Sequence, residues 1–556
     1  MEPINRRQFI KYSGAGLVTA MVLPSFSWMN LAEKGGEIVI DTAFGKLKGY
    51  QQNGVNIFKG VPYAGKISGN RRFLTPEPLK PWTGIREATK LGNPSIQTLG
   101  GYYGLNEPEP AEDSLTLNIW TPAKTDGKCP VMVYSHGGGF VAGSAGSTAQ
   151  DGANLARMFN VVVVATNHRL GLLGYLYLDE LAGDEYRGSG NRGVQDIALA
   201  LKWINQNIRQ FGGDPDNVMI FGESGGGLKT SCLYAMPEAA PYFHKASIES
   251  GPGIVLNTPE TAQQTTLMLL KELNIAPKDW RKLLDMPAPK LLEAQVRLQS
   301  KSDWSFKQGF KGIGAVGPGN FGPVADGAVL PYHPFDPVAP QISVDKPLLV
   351  GWNEDEEIFF SMYGSDKEVF NLSKQGLLER LQKDFGTKAA RIVEFYSAKY
   401  PEATPTEIYM KVYSLLSMGL GSLLIAERKS EQGTAPVYLY NFGYKSENII
   451  SGTNITMGAM HAMDIPFKFY NVDGSIDASG TRTPGMEGSR PERFTASKNM
   501  STFWTNFAHN GKPSAAGQPE WPAYNNQTRP MMRIDTQCQP INNRFTDEVQ
   551  LWREVF

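Results

Sequence analysis

Cysteine is scarce in this chain: Cys129, Cys232 and Cys538 are the only three among 556 residues. An odd, widely spaced set without a CxxC excludes a disulfide framework and offers no zinc or dithiol pattern, so all three are read as buried thiols. Charge imbalance is also missing. The 54 basic residues against 55 acidic ones, with a pI near 6.6, leave no net field of the kind that gathers nucleic acid or acidic lipid. No nucleic-acid partner is expected. The chain has no repeat period, no low-complexity tract and, outside the N-terminus, no apolar run read as long enough to span a bilayer. What remains is a soluble globular chain, long enough to bury a large interior and still carry insertions.

The first 35 residues differ from the rest. Asn5-Arg6-Arg7-Gln8-Phe9-Ile10-Lys11 precedes a weakly charged stretch from Tyr12 to Trp28, a basic n-region followed by an apolar h-region. The arginine pair with Phe9 and Lys11 resembles a twin-arginine export signal. Residues 1–35 are therefore assigned to export and 36–556 to one globular domain, with the twin-arginine translocation machinery as a partner and a periplasmic or secreted destination. No clean A-x-A cleavage site follows, so a retained segment acting as a membrane anchor is also compatible. A protein that folds in the reducing cytoplasm before export needs few disulfides.

From Gly36 onward, short β-branched runs alternate with amphipathic stretches, the pattern of an α/β fold with a mostly parallel sheet and crossover helices. Val131–Ser135, Val161–Ala165, Val218–Phe221, Ala246–Glu249, Leu348–Gly351 and Val437–Phe442 are the candidate central strands, most of them too apolar to have a wet face. Between Thr258 and Leu298, and between Leu377 and Arg428, apolar residues recur at helical spacing. These blocks read as helical insertions roofing the sheet.

The chain holds a single G-x-S-x-G, Gly222-Glu223-Ser224-Gly225-Gly226. It follows the apolar run Val218–Phe221 and precedes a helical stretch, so it sits where a strand must turn sharply into a helix and expose Ser224. Flanking glycines are expected because a side chain there would clash with the neighbouring strand and helix. A hydroxyl nucleophile also needs backbone donors aimed at the developing oxyanion. His136-Gly137-Gly138-Gly139 supplies such backbone after Val131–Ser135, and Gly138, Gly139 and Gly225 are the candidate donors. In this type of site an acid and then a histidine follow the nucleophile. Of the six histidines only His461 and His509 lie late enough, and His509, in Phe507-Ala508-His509-Asn510-Gly511, reads as a helix C-terminus. His461 is thus the candidate base. The acid falls in Asn353-Glu354-Asp355-Glu356-Glu357, where spacing does not choose among the four carboxylates.

The chain resembles the type-B carboxylesterase family, which includes para-nitrobenzyl esterases and cholinesterases, from about Gly45 to Trp552. Phe58–Ala64, Glu112–Asn118, Asn167–Gly171, Asn191–Gly193, Phe221–Gly226, Gly351–Glu356, Gly458–His461 and Trp504–Ala508 carry the likeness. The resemblance implies an α/β-hydrolase domain with helical insertions over an active-site gorge. It implies Ser224 as nucleophile, Glu356 as acid and His461 as base, with Ser250 buried in support of the acid and Glu223 as a further supporting residue. It implies two-step hydrolysis of small or aryl carboxylic esters through an acyl-enzyme, with a small-molecule ester as partner and no cofactor or metal. Alternatives are a catalytically silent interaction protein on the same fold, or an amidase, thioesterase or carbamate hydrolase using the same residues. The family often has Ala at the position of Gly225, Gly at Glu357 and Tyr at His168, and its N-terminal disulfide is replaced by Ser95 and Ser114. The segment between these two serines holds Tyr102 and Tyr103 but no Trp, so choline esters are expected to be poor substrates.

Overall fold

The computed structural model describes residues 35–98, 107–301, 309–312, 317–476, 482–483 and 485–556. Residues 1–34 and the pair Tyr102-Tyr103 lie outside the described residues.

Seven parallel strands form the centre of a 13-stranded sheet, in the spatial order Val162–Thr166, Cys129–Ser135, Gly213–Glu223, Lys245–Glu249, Leu348–Asn353, Val437–Phe442 and Pro530–Ile534. Beyond Val162–Thr166 the sheet continues antiparallel through Thr116–Pro122, Val55–Pro62, Lys46–Gln52 and Glu37–Asp41, and Gln539–Asn542 closes the opposite end, also antiparallel. All six strands expected from the sequence overlap central ones. Their residues alternate between two apolar layers: Val131, Val133, Val218 and Ile220 join one, Met132, Tyr134, Met219 and Phe221 the other. Side chains of a strand point to opposite faces in turn, so a sheet covered on both sides reads as an unbroken apolar run.

The helical blocks are present as Pro259–Glu272, Lys282–Asp285 and Ala288–Gln299, and as Lys374–Phe385, Ala389–Lys399 and Pro405–Gln432. Pro405–Gln432 corrects the sequence reading in one respect. By length and composition it could cross a membrane, but its apolar window is mostly buried inside the protein, so it is a core helix. Cys129, Cys232 and Cys538 are buried and unpaired.

Strand order fixes where chemistry can occur. The chain passes from Cys129–Ser135 to its neighbour on one side, Val162–Thr166, and then to its neighbour on the other, Gly213–Glu223. Crossovers therefore leave in opposite directions, and a crevice opens at the carboxyl ends of the two strands. Ser135 is paired with Gly222 there, which brings the Gly-rich loop and the G-x-S-x-G turn side by side.

Behind this edge lies an ionic cluster that is at most 1% exposed. The Lys468 ammonium binds Glu249 and, at 2.5 Å, Asp464, while Ser247 Oγ and Trp504 Nε1 donate to Glu249 at 2.7 and 2.5 Å. Burial opposes the charge on Lys468, but Asp464 and Glu249 more than offset it and hold the ammonium above its ordinary range. Lys468→Met leaves two buried carboxylates without their cation and should cost about 3–5 kcal/mol in urea unfolding at neutral pH. Adding Glu249→Gln should recover part of the loss; an unchanged midpoint for the single variant would contradict this account.

Candidate active site

Ser224 joins the strand Gly213–Glu223 to the helix Gly225–Tyr234 at φ 57° and ψ −122°, a conformation that strains a residue with a side chain. Its N–H donates to the Glu249 carbonyl at 2.9 Å and its own carbonyl accepts from the Leu228 N–H at 3.1 Å, so both sides of the turn are pinned. Gly222 and Gly226 make the turn possible. A Cβ on Gly222 would lie 2.5 Å from the Gly226 carbonyl carbon, and one on Gly226 would lie 2.0 Å from the Ser135 carbonyl oxygen.

The loop His136–Gly139 leaves the adjacent strand Cys129–Ser135. Gly138 and Gly139 have φ of 85° and 62°, values that glycine adopts at no steric cost. A Cβ on Gly225 would fall 2.2 Å from the Gly139 carbonyl oxygen and 2.4 Å from its nitrogen. The Gly139 and Gly225 backbones are therefore in contact beside Ser224.

His461 and Glu356 come together from different connections. Nδ1 of His461 lies 2.5 Å from Oε2 of Glu356, and both side chains are buried. The other Glu356 oxygen accepts from Ser250 Oγ at 2.5 Å and from the Asn353 N–H at 2.7 Å. Ser250 itself has a φ of 44°. The neighbouring carboxylates are engaged elsewhere: Glu354 with Lys445, Arg533 and Arg544, Asp355 with Lys445 and the Ala459 N–H, and Glu357 with the Ser361 hydroxyl on its own helix. Of the four carboxylates, Glu356 is the one that contacts the His461 ring. His509 lies in the last turn of the helix Glu492–Asn510, which ends at Gly511 with φ 76°, and its Nε2 is 3.1 Å from the Phe159 carbonyl oxygen.

Nε2 of His461 has no hydrogen-bond partner among the described residues and lies 3.4 Å from Oε1 of Glu223. The same Glu223 oxygen accepts the Ala462 N–H at 3.1 Å. Asn353, which the sequence reading did not single out, ties the parts together, its Nδ2 donating to the Met460 carbonyl at 2.8 Å and to Asp464 at 3.2 Å. Only its place at the end of the strand Leu348–Asn353 hinted at such a role. His168 is fully buried and stacks on His136 with ring centres 4.4 Å apart. Phe359 and Phe360 set their rings 5.4 and 4.8 Å from that of His461, making an aromatic wall beside it.

Burial acts on the charges of this cluster. It pushes the Glu223 carboxyl up to about 8, against the pull of His461 and with help from Asp464. Burial alone would favour a neutral His461, but Glu223 and Glu356 raise the ring to about 9. The two groups face each other and titrate as a pair.

The Carboxylesterase family model matches residues 36–552. The chain belongs to the carboxylesterase family. It is 32% identical to the para-nitrobenzyl esterase of Bacillus subtilis over 92% of this chain and 98% of that one, and 30% identical to the liver carboxylesterase of Sus scrofa over 97% and 96%. A solved carboxylesterase of Geobacillus stearothermophilus superposes with a TM-score of 0.78 at 34% identity, covering 92% of this chain and 99% of that one. The fold is accordingly the α/β-hydrolase fold, and the enzyme is a carboxylic ester hydrolase.

Within this carboxylesterase the loop closes in on Gly225 further than a methyl group allows. The Glu223–His461 pair gives a testable consequence. Removing one negative charge beside the ring destabilises the imidazolium, so Glu223→Gln should move the acid limb of the kcat/KM profile to lower pH. A limb that stays in place, or moves up, would show that Glu223 does not face the ring in solution.

Proposed function

We propose that the enzyme hydrolyses small aryl carboxylic esters by a Ser224–His461–Glu356 triad through an acyl-enzyme. The observation that carries this reading is the 2.5 Å contact between His461 Nδ1 and Glu356, combined with an Nε2 free of hydrogen bonds. With Nδ1–H donating to Glu356, the neutral ring presents a lone pair at Nε2. That lone pair takes the Ser224 proton as Oγ attacks the ester carbonyl, and the resulting imidazolium returns the proton to the leaving alkoxide. Water then repeats the sequence on the acyl-enzyme. Glu356 holds the ring in the productive tautomer and offsets its transient charge, and Ser250 and Asn353 keep that carboxylate aimed.

The tetrahedral intermediate places its oxyanion against the N–H groups of Gly138, Gly139 and Gly225. Such donors contribute most when they are fixed before the reaction, and the glycine contacts around them supply that rigidity. The aromatic wall of Phe359 and Phe360 supports aryl or benzyl groups in the substrate, as does the para-nitrobenzyl ester in the name of the Bacillus subtilis relative. Against an interaction protein on the same fold stands the assembled cluster itself.

Ser224→Ala should reduce turnover of p-nitrophenyl acetate by several orders of magnitude while leaving the unfolding midpoint in place, because the hydroxyl contributes chemistry rather than packing. Matched p-nitroanilides should be turned over far more slowly than the esters by the wild-type enzyme. Activity of the alanine variant near wild type would defeat the triad, and anilides cleaved as fast as esters would make the enzyme an amidase.

We also propose that residues 1–35 direct export by the twin-arginine route to the periplasm or beyond, on the strength of Arg6-Arg7, Phe9, Lys11 and the apolar stretch that follows. Lys-Lys in place of Arg6-Arg7 should trap folded, active enzyme in the cytoplasm, since no disulfide awaits an oxidising compartment. Unchanged export would point to another route.

A further inference from the structure

Lys229 is a buried cation that the mechanism above does not use. It lies on the helix that begins at Gly225, five residues past Ser224, and is fully buried. Among the described residues no carboxylate is found acting on it; its titratable neighbours are the Cys232 thiol, which burial keeps protonated, and the His136 and His168 rings. Burial accordingly pushes its amine down to about 7. A lysine is a costly way to fill apolar space, since methionine would occupy the same volume without desolvating an amine. What the nitrogen adds is a hydrogen bond, donated at 2.9 Å to the carbonyl of His136. An ammonium and a neutral amine can both make that bond.

His136 is the residue from which the Gly-rich loop departs. Beyond the glycines the loop is held by the Gly171 N–H, which donates to the Phe140 carbonyl at 2.6 Å, and by Gln97, whose Oε1 accepts the Gly143 N–H at 2.8 Å. Neither of those anchors touches the nucleophile's helix. Lys229 does, because it is part of that helix. Its bond ties the start of the loop to the element that carries Ser224 and Gly225.

We propose that Lys229 is a positioning residue that registers the Gly-rich loop against the nucleophile's helix, so that the N–H groups of Gly138 and Gly139 converge with that of Gly225 on one oxyanion. The proposal rests on the reading of those three amides as the oxyanion donors. Lys229 touches no substrate and acts through the His136 carbonyl, with its nitrogen also 5.9 Å from the ring centre of Phe140 further along the loop.

The experiment compares Lys229→Met, which keeps the volume and loses the donor, with Lys229→Gln, which keeps a neutral donor. It reads kcat and KM for p-nitrophenyl acetate, together with inhibition by an aryl trifluoromethyl ketone and by the matched alcohol, which forms no oxyanion. Lys229→Met should lower kcat about tenfold to a hundredfold with KM within about threefold, as expected when donors are displaced rather than binding lost. Its affinity for the trifluoromethyl ketone should fall in parallel while that for the alcohol holds, and Lys229→Gln should recover most of both. Wild-type kcat in the methionine variant, a change in KM alone, or equal losses in both variants would overturn the proposal. If the methionine variant does not fold, the glutamine variant decides: near-wild-type kcat and ketone affinity support it, and a folded protein with a deep loss of both overturns it. A wild-type enzyme that binds ketone and alcohol equally well would instead defeat the oxyanion assignment, whatever Lys229 does.

Discussion

A Cβ at Gly225 would sit 2.2 Å from the carbonyl oxygen of Gly139, and this approach of two glycine stretches sets the geometry around Ser224. One stretch ends the strand Cys129–Ser135 and the other ends Gly213–Glu223. Strand register places them opposite each other, and the reversal of strand order leaves the space above them open. The turn at Ser224 exists only because Gly222 and Gly226 let strand and helix pass within contact of one another. Backbone amides held this way need no reorganisation when charge develops near them, which is the condition under which such donors are most effective. The sheet's large apolar layers therefore serve the site by making this small contact rigid.

Electrostatics imposes the second constraint. Glu223 and Glu356 are buried against His461, and Lys468 is the buried counter-cation of Glu249 and Asp464. On the proposed triad, carboxylates so placed favour the imidazolium that forms when Ser224 loses its proton, and Glu223, Glu356 and Asp464 hold His461 up at about 9 before the reaction. Stabilising the intermediate thus costs a fraction of free base at neutral pH. Lys468 limits that cost by engaging Glu249 and Asp464, the latter also held by Asn353. Asn353 in turn grips the Met460 carbonyl directly before His461, so charge balance and ring placement depend on one connected set of bonds.

Much of this was legible in the sequence where the signal is local. The G-x-S-x-G turn and the His-Gly-Gly-Gly loop announce themselves because glycine is the residue that tolerates such backbone, and the central strands do so because both their faces are apolar. The proposed acid was not legible from spacing. Glu354, Asp355, Glu356 and Glu357 are equivalent in one dimension and separate only when Arg533, Arg544, Lys445 and Ser361 occupy three of them. Lys468, between Phe467 and Phe469, reads in sequence as an interruption of an apolar run, and its two partners lie 219 and four residues away. The antiparallel margins escaped for a related reason: Lys46–Gln52 has a partly exposed, polar sequence, and its identity as a strand comes from its neighbours rather than from its own composition.

The central claim is that ester cleavage proceeds through an acyl group carried on Ser224, and the direct measurement is a single-turnover reaction of excess enzyme with an aryl ester, quenched in acid and read by mass spectrometry. The account predicts that p-nitrophenol appears before the free carboxylic acid, and that over the same interval the peptide containing Ser224 gains the mass of the acyl group. Simultaneous appearance of both products with no acylated peptide, or acylation confined to another residue, would contradict it.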